Sequence, residues 1–211
     1  MSERSETSEV RTGHLILLHG HDDDPAAFDA SATAMAPAGW TTAAPVGPCA
    51  TPNGASWFGA DDDGTPHPDE VLAALTAVDA AIAAAPAGSP VVLAGFSQGA
   101  ALALLHLVAA RSPDAPDTAG PSLDALVVIA GWLPSVEGVE LDLAAAAGRA
   151  GRILVLHGED DEVVPLPLGR SVFRLLERQG AASSFASRPV AHELAPFCDT
   201  IRTWLAPTAA R

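Results

Sequence analysis

Lysine and tyrosine are absent from this sequence, and all 11 of its basic side chains are arginines, set against 26 acidic ones. Without lysine there is no Schiff-base amine, no phosphate-cradling P-loop lysine and no Ser–Lys dyad. Without tyrosine there is no phenolic acid–base group. The net charge of −15 argues against nucleic acid, because a polyanion needs a basic stripe and the arginines read as dispersed. Only two cysteines occur, Cys49 and Cys198, with no CxxC spacing. They read as structural thiols of a reducing cytoplasm. The apolar stretches are broken by Asp79 or His106 and fall short of the roughly 20 residues of a membrane span, so none is expected. Residues 2–12 lack the apolar core of a signal peptide. Catalysis is left to Ser, His, Asp, Glu, Cys or a metal.

What is present suits one α/β domain. A chain of 211 residues with 48% apolar side chains can close a core, although much of that fraction is Ala. The expectation is a flexible tail over 1–13 and a single domain over 14–206. Short apolar runs at 14–18, 41–45, 90–94, 123–130, 152–157 and 182–190 read as strands. Helical patterns fall at 26–38, 69–85, 98–111, 166–179 and 192–205, with Asp69 as an N-cap of the second. Residues 141–150 form an Ala-rich stretch and 112–122 a polar linker. This alternation predicts a mostly parallel central sheet with helices on both faces. Sites in such sheets form where strands end at their carboxyl edge. The irregular segment 47–68 is long for a compact domain and carries Trp57-Phe58, so it reads as a substrate-facing flap.

The sharpest local signal is Gly95-Phe96-Ser97-Gln98-Gly99. A bare G-x-S-x-G recurs by chance, but here Val91-Val92-Leu93-Ala94 feeds it and a helical run leaves it. A serine on such a sharp strand-to-helix turn is exposed, with small neighbours letting strand and helix pass. Its hydroxyl needs a base, and the base an orienting carboxylate. Downstream, His106 sits mid-helix and reads as a core residue, and His157 closes a strand before Gly158. His192 follows the last strand, where a loop residue reaches over the sheet's edge. The carboxylate belongs on the loop after the 152–157 strand, Gly158-Glu159-Asp160-Asp161-Glu162. Four consecutive acids leave the individual choice open, with at most one expected to be buried against His192.

These motifs together resemble a known family. Gly95-Phe96-Ser97-Gln98-Gly99-Ala100, Leu18-His19-Gly20, His157-Gly158-x-x-Asp161-x-x-Val164-Pro165 and His192-Glu193 are similar to the phospholipase/carboxylesterase branch of the α/β hydrolases, which includes acyl-protein thioesterases. Gly131-Trp132-Leu133-Pro134 resembles the branch's segment after the following strand. The resemblance spans about residues 14 to 205. It implies an α/β-hydrolase fold, a triad of Ser97, Asp161 and His192, and an oxyanion hole from the backbone N–H groups of His21 and Gln98. It further implies that Trp132 and Leu133, beside Trp57 and Phe58, border the acyl pocket. The branch commonly reads His-Gly-Leu-Gly-Asp where this chain has His19-Gly20-His21-Asp22-Asp23, and Gly-His-Glu where it has Ala191-His192-Glu193.

The expected activity is hydrolysis of a small-molecule carboxylic ester or thioester through an acyl-enzyme, with no cofactor and no metal. The acidic runs Asp22-Asp23-Asp24 and Asp61-Asp62-Asp63 lack EF-hand spacing and read as solvated loop acid. Lactone, lysophospholipid or peptide cleavage on the same triad is an alternative, because fold does not fix substrate. A non-catalytic binding module is another. Monomer and homodimer both stay open.

Overall fold

In a computed structural model of the chain, which describes residues 12–110 and 123–206, six strands form one sheet. They are β1 (His14–Leu18), β2 (Thr41–Ala43), β5 (Val91–Phe96), β6 (Ala125–Ile129), β7 (Ile153–Gly158) and β8 (Ser183–Arg188), in the order β2-β1-β5-β6-β7-β8. Every pairing in it is parallel. A separate antiparallel pair, β3 (Cys49–Ala50) and β4 (Ala55–Ser56), lies in the segment read as a flap. The tail over 1–11 and the linker over 112–122 lie outside the described residues.

The central strands are apolar on both faces because both faces are covered. Ile16, Leu18, Leu93, Leu126, Val128, Ile153 and Val155 point to one side, against α2 (Pro68–Ala83), α3 (Gln98–Val108) and α5 (Leu166–Arg178). Leu15, Leu17, Val92, Ala94, Val127 and Leu156 point to the other, against α1 (Pro25–Met35) and α6 (Cys198–Leu205). A one-residue shift in any central strand would exchange these two sets. β8 closes the sheet as an edge strand and alternates half-buried with exposed residues, hence its weaker apolar signal. A short α4 (Ala146–Arg149) lies in the Ala-rich stretch.

Several sequence expectations change. Asp69 is not an N-cap: Pro68 takes the first helical position and His67 the cap, with no side-chain cap bond. Proline's fixed φ suits that position, so α2 begins before Asp69, which joins Glu70 in the first turn. The last helix starts at Cys198 rather than His192, after a 3₁₀ turn at Ala195–Phe197. Pro196 has no N–H to donate and would break a helix begun at 192. The arginines are not all dispersed either, since Arg170, Arg174 and Arg178 share the exposed side of α5 at helical spacing.

The chain runs from β1 out to β2, then returns to the far side of β1 through β5. That reversal leaves a crevice at the carboxyl ends of β1 and β5, where the two connections diverge. His21 follows β1 and Ser97 follows β5, so both motifs border it.

Candidate active site

Ser97 has φ 53° and ψ −118°, a conformation rare outside glycine. The chain tolerates it because its surroundings leave no alternative. A Cβ on Gly95 would strike the backbone of Gly99, and one on Gly99 would strike the carbonyls of Leu18 and His19. Strand β5, helix α3 and the end of β1 therefore meet backbone to backbone. The only other non-glycine residues at positive φ are, among the described residues, Asp22 (φ 56°) and Ala130 (φ 51°). All three follow the carboxyl ends of adjacent strands β1, β5 and β6. Strain concentrates around one crevice.

Asp161 is the acid of the 159–162 run that the fold buries, with its side chain wholly inaccessible; Glu159, Asp160 and Glu162 stay exposed. Its Oδ1 accepts the backbone N–H groups of Val163 (3.0 Å) and Val164 (2.8 Å). Its Oδ2 accepts Nδ1–H of His192 at 2.7 Å. His157 is also buried and donates Nε2–H to the Val164 carbonyl at 2.7 Å, fixing the same turn, with Asp161 Oδ2 3.7 Å away. The His192 ring rests against Phe96, the residue before Ser97, with centroids 4.7 Å apart. His106 is buried within α3 and bonded to Asp79 at 2.8 Å, remote from this arrangement.

A cavity of about 420 Å³ opens over Ser97, with His21 and Gln98 as further polar lining. Phe58, Ala60 and Pro66 form one apolar wall, and Trp132, Val164 and Leu168 the other. Its size lies within the range of about 300–1,000 Å³ common for small-molecule sites. Val163 and Leu168, at its edge, are among the few large apolar side chains left exposed. The structure does not bring Trp57 or Leu133 to this lining. Trp57 is fully buried, stacks on His19 at 5.0 Å and donates Nε1–H to the His19 carbonyl. The segment read as a flap is thus two things: residues 55–58 are buried, with Phe58 reaching the cavity, and Ala60, Gly64 and Pro66 line it.

The side chains at 21 and 98 also do more than the sequence suggests. Gln98 Oε1 accepts the Trp57 N–H (2.8 Å), and its Nε2 donates to the Phe58 carbonyl (2.6 Å), both buried. Gln98→Leu fills the same space but strands both backbone groups. It is expected to cost roughly 2–6 kcal/mol in chemical denaturation, at about 1–3 per orphaned group. His19 bridges the same layers, with Nδ1–H on the Gly20 carbonyl and Nε2 accepting the Gly47 N–H. Burial pushes the His19 imidazole below its ordinary range, which keeps it neutral for that double role.

The acidic runs turn out to be structural as well as solvated. Asp23 accepts the Gly20 N–H, Asp24 caps α1 through Ala26, and Asp22 takes both the backbone and side-chain N–H of Asn53. Behind the Phe58–Ala60 stretch, Glu70 accepts the Gly59 N–H at 2.6 Å, which holds its carboxyl below the usual range. Ser56, Asn53 and the Val163–Val164 amides were invisible to sequence reasoning, since each acts on a residue distant in the chain or through its backbone. Among the described residues no group of three or more His, Cys, Asp or Glu could hold a metal. Cys49 and Cys198 are free, and burial raises both thiols, so neither is poised as a nucleophile. No helix among the described residues is long and apolar enough to cross a membrane.

The parallel sheet order, the strained serine turn and the acid loop after β7 define an α/β-hydrolase fold. Solved structures agree on that fold. Acyl-protein thioesterase 2 of Zea mays superposes with a TM-score of 0.72 at 21% identity, over 94% of each chain. A carboxylesterase from Mesorhizobium loti gives 0.71 at 23%, covering 92% of this chain and 88% of its own. The Bacillus cereus carboxylesterase gives 0.71 at 17%, over 93% and 88%. The sequence model of the phospholipase/carboxylesterase family matches residues 4–197, and the chain belongs to that family. It is a carboxylic ester hydrolase.

Proposed function

We propose that Ser97, His192 and Asp161 act as nucleophile, general base and orienting carboxylate on small esters or thioesters. The observation that carries this reading is the 2.7 Å bond from His192 Nδ1 to a buried Asp161, on a ring packed against the residue before Ser97. That bond commits the imidazole proton to Nδ1, so Nε2 carries the lone pair needed to take a proton from the serine hydroxyl. Ser97 Oγ attacks the carbonyl carbon while Nε2 accepts its proton. The carbonyl oxygen becomes an oxyanion against the backbone N–H groups of His21 and Gln98. Gln98 heads α3, where first-turn N–H groups have no partner within the helix. Collapse of the tetrahedral species breaks the bond to the alcohol or thiol, which leaves with the proton from His192. Water then releases the acid by the same steps in reverse order.

The apolar walls suit the hydrocarbon part of an ester substrate. The acidic surface disfavours anionic substrates and favours neutral or cationic ones. A fluorophosphonate is expected to label the wild-type chain once, on the peptide containing Ser97. In the same preparation, kcat/KM is expected to be higher for a neutral ester than for its anionic counterpart, with the gap narrowing as salt rises. An unlabelled chain sinks the triad reading, and equal rates at low salt sink the charge preference.

A further inference from the structure

Residue 21 enters the reading above only through its backbone N–H, yet its imidazole also lines the cavity, beside Ser97 and Gln98. That ring is held. Its Nδ1 lies 2.8 Å from Oγ of Ser56, a serine only 1% exposed at the end of β4. Ser56 Oγ also accepts the Asp22 N–H at 2.9 Å. The Asp22 turn is itself pinned at positive φ by two bonds from Asn53. The ring is therefore held through Ser56, and the loop that carries it is tied to the same 53–56 hairpin.

The Ser56 contact also selects a tautomer. A buried hydroxyl needs an acceptor for its own hydrogen. Ser56 Oγ already accepts from Asp22, and His21 Nδ1 is the acceptor beside it. The Ser56 O–H therefore donates to Nδ1, which places the ring's proton on Nε2. Among the described residues Nε2 has no partner, and the ring is exposed where substrate enters. The cavity's other walls are apolar, so this N–H stands out as a side-chain donor with nothing of the protein's to bind.

We infer that the His21 imidazole is a specificity-determining donor, and that the preferred substrates carry an ether or hydroxyl oxygen within a few bonds of the scissile carbonyl. The inference rests on Ser97 being the nucleophile, because only then does residue 21 lie against that carbonyl. An oxygen there receives Nε2–H, whereas the isosteric methylene leaves the donor unpaired once water is displaced.

The test is a substrate-by-variant comparison, which cancels intrinsic ester reactivity. Chromogenic esters are made in matched pairs, one methylene replaced by oxygen. One pair carries the replacement in the acyl chain one carbon removed from the carbonyl, an alkoxyacetyl against an alkanoyl ester; the other carries it in the alcohol chain two carbons removed from the ester oxygen. The readout is the oxygen-to-methylene ratio of kcat/KM for wild type, His21→Leu, His21→Gln and Ser56→Ala. His21→Leu is expected to lower that ratio by about three- to tenfold, the worth of one neutral hydrogen bond. Ser56→Ala frees the ring and lowers the ratio by less, and His21→Gln, which keeps a donor, retains part of it. The pair that responds shows which side of the ester meets the ring. An unchanged ratio for both pairs in His21→Leu overturns the inference, even if both rates fall together. Ser97→Ala is assayed in parallel. Activity surviving in that variant would sink the triad reading instead, whatever the His21 ratios show.

Discussion

Ser97→Ala is expected to lower kcat by about 10⁶-fold while leaving the fold intact, the scale seen when a triad nucleophile is removed. The loss is large because no other group can replace the oxygen: lysine and tyrosine are missing, and both thiols are raised by burial. The fold survives because the Ser97 side chain makes no cap bond to α3, and alanine imposes the same steric demand at φ 53°. Ser97→Gly separates the two effects. It removes the same oxygen but relieves a conformation costing about 1–3 kcal/mol in residues with a Cβ, so it should be inactive and more stable. Steady-state kinetics on a neutral short-chain ester, together with thermal melting, reads both. Residual Ser97→Ala activity within about 10³-fold of wild type would overturn the assignment, since little more than binding and the oxyanion hole should remain.

Asp161→Asn comes next, at about 10⁴-fold in kcat. The reason lies in which atom of the new amide faces which partner. Val163 and Val164 both donate N–H to Oδ1, so the amide must present its oxygen to them. Its NH₂ then faces His192 Nδ1, where Oδ2 had accepted at 2.7 Å. Two donors cannot share that contact, so the imidazole moves its proton to Nε2. Nε2 can then no longer accept from Ser97. The turn keeps its hydrogen bonds, so melting should change far less than activity. Glu159→Gln, Asp160→Asn and Glu162→Gln alter exposed neighbours and should leave kcat within about threefold, as surface substitutions usually do. A comparable loss in any of these three, with Asp161→Asn near wild type, would reassign the carboxylate.

Much of the fold is legible in the chain because its signals are local. Residues 14–18, 91–96, 125–129 and 153–158 are apolar at every step or nearly so, which only a strand covered on both faces requires. Gly95 and Gly99 announce the turn on Ser97, since no Cβ fits where strand and helix cross. The misreadings have two causes, a distant partner for Trp57 and a nearby proline for Asp69 and His192. Trp57 looks like a flap residue until its indole N–H is seen on the His19 carbonyl. Asp69 looks like a cap until Pro68 is seen opening the helix. His192 looks helical until Pro196, four residues further on, is weighed.

The absences of lysine and tyrosine hold whatever the fold, and they leave the chemistry to serine, histidine, carboxylates, cysteine or a metal. Periodicity determined the parallel sheet, and a set of short motifs carried the resemblance to the family, because both depend on neighbours within a few residues. The family resemblance singled out Asp161 among four consecutive acids, and the tertiary structure buries that one; only the tertiary structure decided that the His21 ring is held by a serine 35 residues away. Burial and hydrogen bonding between distant segments are set by how the strand ends converge, and no local pattern encodes that convergence.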